Sequence, residues 1–271
     1  MSSRRRFICC VVAATAFTLS ASILVASAES DRPKGSVDAE AMKSLERMND
    51  YLARAKQFSV TADIGYDVVQ EWGEKIEFGE TRVLTVRRPN DLRVDTTDRD
   101  GTKSGVVFDG KDISVFDLQG KVYATAAKPG SLDNAISYFV DDLGMRLPMA
   151  PILRGRLPQM VKEWAHDVRY VGQESIAGVP CDHVAMQGEW EDVQMWIARG
   201  DQPLLQRMVV TYTRAEGKPQ FWGQFEKWNL TADIPDSLFV FQPAEGAAPI
   251  PFKPRRSAAQ PAAVERKGGQ P

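Results

Sequence analysis

Cysteine, histidine and long apolar runs are all scarce in this chain. Its 271 residues include three cysteines and two histidines. Cys9 and Cys10 fall near the start of an N-terminal apolar run, so Cys181 is the single cysteine of the body. One cysteine cannot close an internal disulfide, which excludes a disulfide-built scaffold. Two histidines, His166 and His183, are too few for a histidine-rich metal site, and no cofactor is implied. Glycine-rich phosphate loops are absent, and no carboxylate pair sits in a motif that positions an acid and a base. A clustered basic excess, the mark of a nucleic-acid binder, is also missing.

The one long apolar run is N-terminal. Arg4, Arg5 and Arg6 precede an uncharged stretch from Phe7 through Val25, which ends in Ala26-Ser27-Ala28. A basic start, an apolar middle and an Ala-x-Ala exit describe a cleaved secretory signal peptide over residues 1–28. The stretch is also long enough to serve as a signal anchor, and the adjacent arginines fit a twin-arginine export signal as well as a general one. Export to the periplasm is the expectation, with no membrane anchor after cleavage. Removing the leader leaves 31 basic residues against 36 acidic ones.

The body of the chain is strongly patterned. Residues 29–37 read as a loose N-terminus. Met42, Leu45, Met48, Leu52 and Ala55 recur at helical spacing, predicting an amphipathic helix over 38–57. From Phe58 the period becomes two. Strands are expected near 58–68, 76–86, 92–98, 103–109, 112–118 and 121–126, with Asp109-Gly110 and Gln119-Gly120 as hairpin turns. Pro129-Gly130-Ser131 ends this run. Leu132, Ile136, Phe139, Val140 and Leu143 form a helical stripe closed by Gly144, and prolines break the rest of a helical insertion over 131–165.

Strands resume near 168–174, 179–187, 191–198, 204–213 and 218–229, with a last one at Phe239-Val240-Phe241. Residues 193–198 are apolar on both faces and should lie under a covering element. The Ala- and Pro-rich tail, 245–271, lacks material for a core and reads as disordered. The fold class is mainly β (α+β): one curled antiparallel half-barrel of 10–11 strands over residues 38–244, its concave side holding the N-terminal helix and the helical insertion.

Three segments carry a resemblance. Thr85-Val86-Arg87-Arg88-Pro89-Asn90, Val106-Val107-Phe108-Asp109-Gly110-Lys111 and Phe239-Val240-Phe241-Gln242-Pro243 with Gly246 resemble the LolA family of periplasmic lipoprotein carriers, in the same order. A family of predicted periplasmic proteins of unknown function with a LolA-like fold is similar more closely. The matching residues are Met48-x-x-Tyr51-Leu52, Arg88-Pro89, Gly178-Val179-x-Cys181-Asp182-His183, and Gln194-x-Trp196-Ile197-x-x-Gly200-Asp201-x-Pro203-Leu204. The carrier resemblance implies an apolar hollow for acyl chains under a movable helical lid, with Arg88 in the place of the arginine that tethers the lid. Two departures stand out. Asp91-Leu92 replaces the carrier's apolar-aromatic pair, and the carrier lacks the Cys-Asp-His segment.

Phe78, Phe108, Phe116, Trp196, Trp222 and Phe225 are the aromatic candidates for lining a lipid-sized hollow, or for filling the space under the helices. Cys181 and His183 fall on one face of a strand and Asp182 on the other, so the three cannot form a nucleophile–base–orienter chain. A buried cysteine beside a hydrogen-bonded histidine is the expected arrangement. The functional expectation is a binding or carrier protein for a lipid, an acylated protein or another hydrophobic ligand. Two alternatives stay open: an envelope protein–protein or stress-sensing module on the same fold, and a thiol enzyme using Cys181 and His183.

Overall fold

Alternation of apolar and polar residues over most of the body produces one sheet with one face turned to the helices. The computed structural model describes residues 35–142 and 147–252. The expected signal peptide, Leu143, Gly144 and residues 253–271 of the tail lie outside the described residues.

Helix α1, Ala39–Arg54, comes first, its N-terminus capped by the Asp38 carboxylate accepting from the Glu40 amide at 2.9 Å. Its buried stripe is Ala41, Met42, Leu45, Met48 and Leu52, the face its spacing predicts. Strands β1 (Gln57–Val69), β2 (Lys75–Arg87), β3 (Asp91–Asp98), β4 (Lys103–Asp109), β5 (Asp112–Asp117) and β6 (Val122–Ala127) come next. The insertion holds α2 (Leu132–Ser137), a π-helical turn at Tyr138–Asp142, α3 (Ala150–Leu153) and α4 (Leu157–Trp164). Ser131 caps α2, as the break at Gly130 suggests. The second run comprises β7 (Ala165–Ile176), β8 (Val179–Gly188), β9 (Asp192–Ala198), β10 (Leu205–Thr211) and β11 (Gln220–Asn229), and the two-residue β12 (Ala248–Pro249) closes the order.

All twelve strands among the described residues join one sheet, ordered β12-β6-β5-β4-β3-β2-β1-β11-β10-β9-β8-β7. The two runs therefore meet at β1 and β11, where Ala62 pairs with Phe225 and Ile64 with Gly223. Every pairing between these strands is antiparallel except that of β12, which runs parallel to β6, and Val37 makes an isolated parallel bridge to Val168 of β7. Register then assigns faces, because paired residues share a side. Phe58, Val60, Ala62 and Ile64 of β1, Val86 and Leu84 of β2, and Leu92, Phe108 and Ile113 face the helices and are buried. Their neighbours along each strand form the outer face.

Two expectations need correction. Phe239-Val240-Phe241 is no strand: Asp236–Phe239 is a single 3-10 turn, and the segment crosses the outer face of the first run. Phe239 is buried there, and Phe241 packs on Phe116 and Tyr123 with ring centroids 5.7 and 5.4 Å apart. Aromatic side chains on sheet and segment outweigh the short alternating pattern. The start of the expected disordered tail also stays with the sheet. The Ala248 amide donates to the Lys121 carbonyl at 2.8 Å and the Ile250 amide to Tyr123 at 2.7 Å. Backbone pairing at an open edge does not need apolar side chains, so composition missed it.

Candidate functional site

The insertion does not pack flush against the sheet. Between α3, α4 and the inner face of β8–β10 lies a cavity of about 640 Å³, within the range of small-molecule sites. Its floor is Met186, Val193, Met195, Met208 and Val210, all on the helix-covered face and in register, with Met208 opposite Met195 and Val210 opposite Val193. Its roof comes from Leu157, Met160, Val161 and Trp164 of α4, whose apolar side is turned inward. Trp190, 60% exposed, stands at the margin with Arg214 stacked over its ring at 4.5 Å. Methionines in floor and roof make a soft wall, since unbranched thioether chains repack easily around different shapes.

Two arginines belong to this region. Arg88 reaches from the turn after β2 and donates Nη2–H to the Leu153 carbonyl at the end of α3, at 3.0 Å. Burial pushes its guanidinium below the ordinary range, and Asp133 opposes that shift. Arg154, the next residue after that carbonyl, lines the cavity and donates Nη2–H to Ser137 Oγ at 2.9 Å.

The six aromatic candidates are scattered, and none lines the cavity. Phe108 and Phe225 are fully buried on the helix-covered face, where they are core. Phe78 is on the same face but beyond the helices. It stacks on Tyr66 with centroids 6.2 Å apart and is 47% exposed. Phe116, Trp196 and Trp222 are on the outer face: Phe116 lies under Phe241, while Trp196 and Trp222 flank the Arg207 guanidinium at 6.0 and 5.3 Å. Residues 193–198 are accordingly covered differently from expectation. Val193, Met195 and Ile197 face inward, and Trp196 is covered outside by side chains, without a covering element. The methionines of β8–β10 were the missed residues. Their alternation with Ala185, Gln194 and Arg207 was the available signal.

The Cys-Asp-His segment divides between faces. Asp182 points inward and takes bonds from Ser44 Oγ at 3.1 Å and Tyr170 Oη at 3.0 Å, with Arg47 and Arg199 at 3.4 and 3.3 Å. It fastens α1 to the sheet. His183, outside, stacks on Trp196 with centroids 4.2 Å apart, and its ring nitrogens meet Glu174 and Gln194. Glu174 is held below the usual carboxylate range, first by the Trp196 indole N–H and then by His183. Cys181 donates to the Val179 carbonyl at 3.2 Å, and burial pushes its thiol up. That shift opposes the thiolate a nucleophile needs. Among the described residues no three histidine, cysteine or acidic side chains gather as a metal site.

The sequence profile of a family described as "Predicted periplasmic protein (DUF2092)" matches residues 41–253. The chain belongs to that family. Its description places members in the periplasm, and no described helix is long and apolar enough to cross a membrane. No curated protein matches the chain. Among solved structures, the lipoprotein LppX of Mycobacterium tuberculosis is similar at 14% identity, over 73% of this chain and 100% of that one, with a TM-score of 0.46. Pseudomonas aeruginosa MucB, solved in complex with MucA, is similar at 19% identity, over 75% and 62%, with a TM-score of 0.41. The LolA superfamily protein NE2245 of Nitrosomonas europaea is similar at 13%, over 76% and 99%, at 0.37.

Proposed function

We propose that this protein binds a hydrophobic ligand, as a periplasmic carrier would, in the cavity between the helical insertion and β8–β10. One observation carries the reading: a cavity of about 640 Å³ with a methionine-rich apolar floor, roofed by a separate helical piece. The hollow is open at one side and leaves an apolar wall uncovered, and an occupant with an alkyl chain would remove that wall from water. Arg88 serves as the tether of the lid. It grips α3 by one bond to a carbonyl, and a few broken bonds of this kind cost little beside the burial of an alkyl chain. The ligand class is a lipid, the acyl chain of a modified protein or a comparable amphiphile.

The test is native mass spectrometry of protein taken from the periplasm, with a titration of acyl probes followed by tryptophan emission. Trp164 and Trp190 at the cavity serve as reporters. Met160→Trp, from the half-buried roof, adds bulk to part of the cavity and should weaken binding while the fold persists. Ligand-free protein with no acyl affinity, or full affinity in M160W, overturns the reading.

A second reading rests on a separate feature. Tyr66, Val68, Ile76 and Phe78 share the inner face of β1 and β2 beyond the helices and are 37–47% exposed. An envelope protein laid along that strip would cover them. Crosslinking from position 78 in cells should then trap one partner, independently of M160W.

A further inference from the structure

Arg154 is an unusual wall for an apolar cavity. Its Nε is buried and meets no acceptor among the described residues, while Nη2 is spent on Ser137 Oγ at 2.9 Å. Among the described residues no carboxylate is in ion-pair contact with it. Among the described residues the cavity's other charged lining groups are Glu191 and Arg214. Arg214 is taken up by Glu189 Oε1 at 2.8 Å and lies over Trp190, at the margin. Arg154 thus brings a positive charge to a lining it shares with Met186, Met195 and Met208. Arg88, which donates to the Leu153 carbonyl, repeats the pattern: its Nε is also buried without an acceptor among the described residues. Buried donors that lack an acceptor are rare and costly, and guanidinium groups suit carboxylates and phosphates.

We propose that the ligand is an anionic amphiphile and that Arg154 receives its acidic head inside the cavity. This rests on the cavity reading above and narrows it. The alkyl chain lies over Met186, Met195 and Met208, and the carboxylate or phosphate accepts from the Arg154 guanidinium. A neutral amphiphile of the same chain length can offer the Arg154 guanidinium an oxygen but no negative charge, and binds more weakly. An ester- or amide-linked acyl chain on a protein falls in that weaker class, because it carries no acid at its head.

The experiment compares dodecanoate, dodecyl phosphate and dodecanol, each below its micelle concentration, on the full exported protein by tryptophan emission. The acids should bind at least about tenfold more tightly than the alcohol, the discrimination expected of a charge-assisted hydrogen bond away from water. The two acid arms distinguish a carboxylate head from a phosphate head. Arg154→Gln should bring acid and alcohol to equal affinity, and Arg154→Lys should keep part of the preference. Ser137→Ala, which removes only the tie at Nη2, should leave it in place. Equal binding of acid and alcohol by the wild-type protein overturns the inference and leaves the cavity reading standing, as does an undiminished preference in R154Q. Failure of all three probes to bind overturns both. If R154Q does not fold, the wild-type comparison decides.

Discussion

The Ser44 hydroxyl donates to the Asp182 carboxylate at 3.1 Å, joining α1 to β8 across 138 positions of sequence. Tyr170, Arg47 and Arg199 converge on the same carboxylate. Asp182→Ala leaves two hydroxyls under α1 without an acceptor, and should cost about 1–3 kcal/mol in urea unfolding. Arg47→Ala removes a partner that is itself 36% exposed, and should cost under about 1 kcal/mol. Equal costs for the two variants would contradict the assignment of Asp182 as the anchor.

The Arg88–Leu153 bond predicts a local effect on exchange. Arg88→Gln should speed amide exchange in 150–164, the α3–α4 segment, and leave β8–β10 unchanged, since the bond lost is to α3 and not to the sheet. Uniform acceleration across the sheet would make Arg88 a general stability residue instead.

On the outer face, Trp222 lies across Gly65 and donates its indole N–H to Glu77 at 3.1 Å. A Cβ at position 65 would run into the indole ring. Gly65→Ala should therefore destabilise by about 1–3 kcal/mol through displacement of the ring. Gly65→Ala combined with Trp222→Ala should recover part of that loss in a double-mutant cycle.

Glu80 sets a pH dependence. Burial pushes its carboxyl up, Asp98 adds to the shift, and Arg82 opposes it. The native state then holds this proton to higher pH than the unfolded chain does. Stability is accordingly lost as pH rises from the ordinary glutamate range, about 4.3, through the raised folded value. Glu80→Gln should stabilise relative to wild type at pH 7 and lose that advantage near pH 4. Urea midpoints at the two pH values check it, and an equal offset at both would refute it.

Cys181 is fully buried with its thiol pushed up. A neutral disulfide reagent should label it only as fast as the protein opens, with rates rising in step with denaturant. Rapid labelling of folded protein would restore the thiol-enzyme alternative.

The faces of the Cys-Asp-His segment were legible from strand alternation alone, and the structure places them so. The helix stripe of α1 was equally legible, because a 3.6-residue period has one physical solution. The role of Asp182 was not, because its partners come from residues 44, 47, 170 and 199. Aromatic residues drew attention as a lining for the hollow, yet Trp196 and Trp222 stand on the outer face with Arg207 between them. Composition ranks side chains by size and hydrophobicity. It does not say which side of a strand meets the helices.

By itself the sequence determined the two runs of strands, the helical interruption between them and the Arg88-Pro89 turn, all of them local patterns of period and turn chemistry. Only the tertiary structure decided that the runs join through β1 and β11, that Phe239–Phe241 crosses the outer face, and that methionines with Arg154 surround the hollow. Those outcomes depend on register and on how closely the insertion seats against the sheet. Both are settled by contacts between residues far apart in sequence, which no local pattern encodes.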